Sequence, residues 1–383
     1  MESTERKIIE LNNNYFFEEF TFGQNKFIDH SNGQELEFAD NVIWIDDFFL
    51  IFQIKERNSE VEKNIENWFK SKIEKKAVQQ IKNTLSYINK YDEILITNEK
   101  GVIHDIAKAK INVPLKLIVY NPGISFNQKL RDKKCYLSSQ VGCIHLLHIE
   151  DYNLICNILI TPYEILDYLQ FREKLIVNNK LGINYRTENY VLKHYLTNHN
   201  NFILNNEIDK LEINLTVDLS AFDISDIVKY FKNKIIVNSE RTEYYFIIKE
   251  LAKLHRLDLK SFKERFNYAL DKCRKQEFDI PYRMVSSESK CGFVFIPLLF
   301  EKKDKAQNGL QNFTKIHMYD QQLEKGIGMI CYYNSKERYF DIFWTYKYEP
   351  WEKDLEFEAL IYPEFPLRPI RKELGFRYDI ETK

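Results

Sequence analysis

The sequence predicts an α/β protein built on a mixed sheet, followed by an α+β region that fills the C-terminal part of the chain. Three observations carry that prediction. An amphipathic pattern opens the chain, two β-rich runs flank Asp46-Asp47, and a second helical pattern leads into two short apolar runs. Helix, hairpin, helix, strand, strand is a mixed-sheet order.

The first helix is expected from about Thr4 to Tyr15, because Glu5, Ile8, Ile9, Asn12, Tyr15 and Phe16 recur on one face at i, i+3, i+4, i+7 spacing. Glu10 falls on the polar side with Arg6, Lys7, Asn13 and Asn14. The hairpin is expected over Glu37–Ile45 and Phe48–Glu56, both rich in β-branched and aromatic residues. A basic helix follows from about Ile65 to Asn89. Its stripe of Ile73, Ala77, Ile81, Leu85 and Ile88 faces a core, and Lys70, Lys72, Lys75, Lys76 and Lys82 lie mostly off it. Strands are predicted at Glu93–Thr97 and Leu115–Tyr120, before Asn121-Pro122-Gly123 breaks the chain. A first domain is therefore expected over residues 1–122.

Residues 123–150 read as a connecting segment. Within it, the run from Cys143 to His148 reads as a strand, and Cys135, Cys143, His145 and His148 match no standard zinc spacing. Residues 151–383 read as α+β. Thr161-Pro162-Tyr163-Glu164 is a capping box with proline at the first helical position and opens a helix to about Leu175. A helical region spans Thr242 to about Cys273, and the runs GFVFIPLLF, GIGMICYY and YFDIFWTYKY read as strands. Gly326-Ile327-Gly328 lacks a third glycine and a following helix, so it is no dinucleotide fingerprint.

At 383 residues, the chain is long enough for two or three domains of about 150 residues each. With 44% hydrophobic and 29% charged residues, collagen-like, low-complexity and disordered classes are excluded. No apolar run reaches the roughly 18 residues of a membrane span, and MESTERKIIELNNN has charges where a signal peptide needs an apolar stretch. A cytoplasmic protein with no membrane partner is expected. Its six scattered cysteines are then expected as free thiols.

The net charge of -2 gives no hint of a nucleic-acid ligand, but its distribution does. Residues 1–60 hold 13 Asp/Glu against 5 Lys/Arg (net -8), and residues 61–134 hold 8 against 15 (net +7). An acidic segment beside a basic one suits a metal site next to a phosphate track. A pair of solvated faces would give the same pattern.

The hairpin carries the chemistry. With Asp46-Asp47 as a two-residue turn, Ile45 pairs with Phe48 and Asp40 stands opposite Gln53. Opposed residues project from one face, and Lys55 shares it as a diagonal neighbour, whereas Leu50, Phe52 and Ile54 point the other way into a core. An acid, an amide and an amine thus converge. Phosphodiester cleavage needs a hard cation on oxygen ligands and a group that orients or activates water. Asp40 can supply the charged ligand, Gln53 Oε1 and the Ile54 carbonyl neutral ones. Lys55 would contact the phosphate or lower the pKa of the attacking water.

These residues resemble the PD-(D/E)xK phosphodiesterases of the restriction-endonuclease type. Asp40 enters a strand and Gln53-Ile54-Lys55 on the next strand matches the (D/E)xK element, in the Q-x-K form seen in Mrr-like restriction endonucleases. The resemblance covers roughly residues 1–122 and implies a restriction-endonuclease-like core. It implies catalysis by Asp40, Gln53 and Lys55, and a further carboxylate from the first helix, where Glu5 fits better than Glu10. Asp40 and Glu5 would bring two negative charges, which favours one divalent ion, Mg²⁺ or Mn²⁺.

The expected function is a metal-dependent endonuclease acting on DNA in preference to RNA, with a role in bacterial or phage defence implied by the resemblance. Lys70, Lys72, Lys75, Lys76 and Gln80 are the expected nucleic-acid contacts. The C-terminal region would serve recognition, regulation or assembly, as a homodimer or with a protein partner. A catalytically inactive nucleic-acid-binding or scaffold protein on the same fold is the alternative, and an enzyme with its site in the C-terminal region is a third.

Overall fold

Strand β5 (Phe48–Glu56) is hydrogen-bonded on both sides, and the first half of the protein is organised around it. The computed structural model describes residues 3–23, 25–29, 32–123, 126–179, 182–211, 219–229, 231, 242–277, 279–370 and 378. The central sheet runs β1 (Thr21–Phe22), β4 (Asn41–Ile45), β5, β8 (Leu115–Asn121), β10 (Gly142–His148) and β9 (Cys135–Ser138), in that spatial order. β1, β4 and β5 are antiparallel; β5, β8 and β10 are parallel; β9 returns antiparallel at the edge. The sheet is mixed, as predicted.

Phe48 to Ile54 are all buried, so β5 is enclosed on both faces and not only at Leu50, Phe52 and Ile54. A strand with a parallel partner and helical cover on each face is apolar throughout. The N-terminal helix, Thr4–Phe16, buries Ile8, Ile9, Asn12 and Phe16 as its periodicity predicts, and Ser3 caps it by accepting from the Arg6 amide. The basic helix begins with Asn64 as its cap and continues through three segments, Ile65–Trp68, Phe69–Ala77 and Val78–Lys90. Its middle segment is π-helical, where a regular α-helix was expected. Ile73, Ala77, Ile81 and Ile88 are buried as predicted; Leu85 is half-buried, and Thr84 takes the enclosed position beside it.

Three expectations are corrected. The first strand of the hairpin does not run unbroken from Glu37. β3 (Gln34–Glu37) pairs with β2 (Lys26–Asp29) in a separate ribbon, and only β4 enters the central sheet. Between them, Asn25 Nδ2 donates to the carbonyls of Phe22 and Ala39, and the Phe38 amide donates to the Asn25 carbonyl. Those bonds occupy groups that a continuous ladder would use. Residues 93–97 contain β6 (Leu95–Thr97), which pairs with β7 (Ile103–Asp105) in another ribbon and not with β8. Residues 123–150 are no simple connector, because β9 and β10 complete the central sheet.

The compact units accordingly differ from an expected boundary at residue 122. One comprises Met1–Val217 together with Tyr378–Lys383, and the other Asp218–Arg377. In the first, Thr161 caps the Pro162–Asn178 helix as predicted. Arg172 in that helix is fully buried and binds Glu188 through Nε at 2.7 Å and Nη2 at 3.0 Å. Tyr378 Oη donates to Tyr195 Oη at 2.9 Å, so the chain returns to this unit after completing the other.

The second unit holds the sheet β11 (Tyr282–Val285), β12 (Cys291–Pro297), β13 (Lys325–Asn334) and β14 (Tyr339–Tyr348). β12 and β13 are parallel and the outer pairs antiparallel. Helices Tyr245–Ala252 and Arg256–Lys275 occupy the region predicted helical. Gly326 and Gly328 lie in β13, where an added Cβ would meet Met318 Cγ at 2.5 Å and Thr314 Oγ1 at 2.1 Å. They serve close helix-on-sheet packing. All six cysteines are free thiols. Among the described residues, no helix is long and apolar enough to cross a membrane.

Candidate active site

The hairpin register fixes the site. Asn41 pairs with Phe52 and Ile45 with Phe48, as the two-residue turn requires, and Asp46 closes that turn with a φ of 57°. Asp40 stands one residue before β4, at the break between the β2–β3 ribbon and the central sheet, where its side chain reaches across to β5. Its Oδ2 accepts from the Ile54 amide at 2.6 Å and from Lys55 Nζ at 2.7 Å.

Lys55 completes the group. Its ammonium also donates to Gln53 Oε1 and to the Ile54 carbonyl, each at 3.0 Å. An ammonium has three protons, and all three are directed at oxygens. Asp40 and Gln53 are buried, and only 14% of the Lys55 side chain is exposed. The predicted convergence of Asp40, Gln53, Ile54 and Lys55 is therefore present. A carboxylate, an amide oxygen and a peptide oxygen form a hard donor set of the kind Mg²⁺ or Mn²⁺ takes, so these residues fit such an ion.

Glu5 lies at the exposed edge of this group. Its carboxyl is pushed above the usual glutamate range, first by partial burial and then by Asp40 and Glu37, with Lys55 opposing them. The N-terminal helix is held in place by its own first residue: the Thr4 amide donates to Glu56 Oε2 at 3.0 Å, and Asn121 Nδ2 donates to Thr4 Oγ1 at 2.9 Å. Glu5 is thereby anchored to the ends of β5 and β8.

Glu37 was not singled out from sequence, although it precedes Asp40 by only three residues. Reading the hairpin as one continuous strand concealed the bend that brings it near Glu5. The bend itself is fastened by Thr84 of the basic helix, whose hydroxyl donates to the Phe38 carbonyl.

The residues expected to meet nucleic acid are spread along the basic helix. Lys70, Lys75 and Lys76 are exposed. Lys72 is half-buried and pairs with Glu62 at 3.3 Å. Gln80 is half-buried and its Oε1 is enclosed with no hydrogen-bond partner. Among the described residues, no hydrogen bond or ion pair joins these side chains to Asp40 or Lys55. No family model matches the chain, nor does any curated protein or solved structure.

Proposed function

We propose that the protein is a divalent-metal-dependent nuclease that hydrolyses phosphodiester bonds in DNA, on a core resembling the PD-(D/E)xK phosphodiesterases. One observation carries this reading: Asp40 Oδ2, Gln53 Oε1 and the Ile54 carbonyl all face the single ammonium of Lys55. Three oxygens gathered around a cation, with a carboxylate rim at Glu5 and Glu37, suit a site that holds a metal ion beside a phosphate.

Asp40, Gln53, the Ile54 carbonyl and Glu5 would hold Mg²⁺ or Mn²⁺. The bound ion supplies positive charge that offsets the charge developing on the phosphate. Lys55 carries the charge that meets a phosphate oxygen and can hold the attacking water through an ammonium proton. Until an ion takes these oxygens, the buried Asp40 carboxylate holds that ammonium through a short charged bond. Exposed Lys70, Lys75 and Lys76 supply sequence-independent attraction to the DNA backbone. A role in bacterial or phage defence follows from the resemblance to restriction endonucleases.

The neutral Gln53 favours a second reading, a nucleic-acid-binding or scaffold protein that has lost catalysis, since it leaves the site with less negative charge than two carboxylates would. Incubating the full chain with supercoiled DNA, linear DNA and RNA, with Mg²⁺, Mn²⁺ or chelator, separates the two. Metal-dependent nicking that disappears in Lys55→Ala and Asp40→Asn supports the nuclease. Binding without cleavage in every metal supports the second reading.

A further inference from the structure

We propose that the outer strands of the first unit carry a second metal site, for Zn²⁺, formed by Cys143, His145 and Glu173 with Cys135 as the fourth ligand. It is independent of the nuclease reading. The ligand atoms of Cys143, His145 and Glu173 all lie within 4.8 Å of one another. His145 Nε2 is 3.9 Å from Glu173 Oε2. A tetrahedral ion with bonds of about 2.0–2.3 Å sets its ligands roughly 3.3–3.8 Å apart, so a small closing movement brings these three to bonding distance, and the Cys135 thiol, outside the 4.8 Å group, swings in from the neighbouring strand as the fourth.

The fold brings these residues together for simple reasons. Cys143 and His145 are two apart on β10 and project from one face. Cys135 stands opposite His145 on β9, on the same face as Cys143 and diagonal to it. Glu173 follows Arg172 in the Pro162–Asn178 helix, and Arg172 Nη1 and Nη2 hold that helix to the Lys134 and Leu146 carbonyls at 3.0 and 3.2 Å.

A second observation points to a missing ligand. His145 is completely buried, yet its Nε2 has no hydrogen-bond partner. A buried imidazole nitrogen left unpaired is costly unless something occupies the space before it. Glu173, 36% exposed, connects the cluster to an open groove of about 430 Å³ that Lys174 and Phe202 also line, which gives an ion a way in.

The chemistry of the donors selects the metal. Two thiols, an imidazole and a carboxylate suit Zn²⁺, whereas Mg²⁺ and Ca²⁺ take oxygen alone. Binding sends both thiol protons to solvent. It also moves the His145 proton to Nδ1, at the cost of the 2.9 Å contact with Arg172 Nη1. Arg172 keeps Glu188 and both carbonyls. With four protein ligands the site is closed, so its role is to clamp the β9–β10 edge to the helix. His148 takes no part: its Nδ1 accepts from the Glu150 amide at 3.2 Å.

The test uses the full chain, reduced and purified without a metal-chelating tag. Elemental mass spectrometry should find one zinc per chain, and Co²⁺ titration should produce a thiolate-to-metal absorption band. Glu173→Gln, at a partly exposed position, should weaken zinc binding at least about tenfold. Cys135→Ser should diminish the cobalt band. Melting in chelator should be the same for parent and Glu173→Gln, which separates loss of a ligand from loss of folding. A parent that takes up neither zinc nor cobalt overturns the site, as does equal zinc affinity of parent and Glu173→Gln.

Discussion

The ammonium of Lys55 lies 2.7 Å from Asp40 Oδ2 and takes the other two oxygens of the site with it. Any ion that used those oxygens would have to displace the lysine, so loading the site and freeing Lys55 are one event. Lys55→Ala is therefore expected to abolish cleavage while binding Mn²⁺ or Ca²⁺ roughly tenfold more tightly, about the 1.5 kcal/mol of one hydrogen bond to a charged group. Calorimetry on the uncleaving variant reads this directly. Equal or weaker binding would show that lysine and ion do not compete.

Gln53 is 1% exposed, so Gln53→Glu places a second carboxylate in a buried position beside Asp40. The metal-free variant should melt below the parent, because like charges are brought together out of water. Saturating Mg²⁺ should raise its melting temperature more than the parent's, with each tenfold gain in affinity adding about 1.4 kcal/mol at saturation. An equal Mg²⁺ shift in both proteins would remove Gln53 from the ligand set.

Glu5 is pushed above its ordinary value of 4.5, by burial first and then by Asp40 and Glu37. The stability this group contributes is full below the ordinary value and is lost as pH rises through the raised one. Glu5→Gln should therefore gain stability relative to the parent between mildly acidic and neutral pH. A divalent ion should draw a proton off Glu5 just above the ordinary glutamate range. Calorimetry in two buffers of different ionisation heat counts that proton, and the same count in Glu5→Gln would place its source elsewhere.

Lys70, Lys75 and Lys76 are exposed on the basic helix, whereas Lys72 is engaged by Glu62. Neutralising Lys75 and Lys76 should weaken DNA binding at every sequence and reduce the salt slope by roughly 0.9 for each phosphate that is no longer neutralised. Lys72→Ala should matter less. Binding titrations in Ca²⁺ at several salt concentrations supply the slopes, and identical slopes for parent and double variant would make this helix a solvated face.

Burial pushes the Glu188 carboxyl up, but Arg172, Lys134 and the Tyr168 hydroxyl together hold it below the usual range. A carboxyl with a lowered value stabilises the fold above its unfolded value, and that contribution disappears as pH falls through the folded one. Glu188→Gln leaves the buried Arg172 unpaired and should cost about 3–5 kcal/mol at neutral pH. Its unfolding free energy should also depend less on pH in the acid range where carboxylates titrate. A parallel acid limb in parent and variant would mean that other carboxyls set it.

The hairpin register was legible because it depends on neighbours in sequence: alternation and a two-residue turn are enough to set Ile45 opposite Phe48 and Asn41 opposite Phe52, which leaves Asp40 at the end of that ladder. The first helix was legible through its periodicity. The break at residues 38–40 was not, since it depends on Asn25 reaching the Ala39 carbonyl from another ribbon. β10 joins β8 in parallel from far along the chain, with no local signal to pair them. The π-helical segment is a matter of packing, because its apolar spacing also satisfies an α-helix. Glu173 lies on a helix well beyond His145 in sequence, outside the short spacing that a local ligand motif can show.

The bond from Tyr378 to Tyr195 has a consequence for synthesis on the ribosome. Tyr378 follows the whole of the second unit, so the first unit receives one of its buried side chains only after the intervening residues, Asp218–Arg377, have been made. Domains generally fold as they emerge, N-terminal part first. The nascent first unit must wait without the Tyr378 contact to Tyr195 while the other folds, and the finished chain then joins the two units by two strands of polypeptide. A single proteolytic cut in either crossing would leave them tethered.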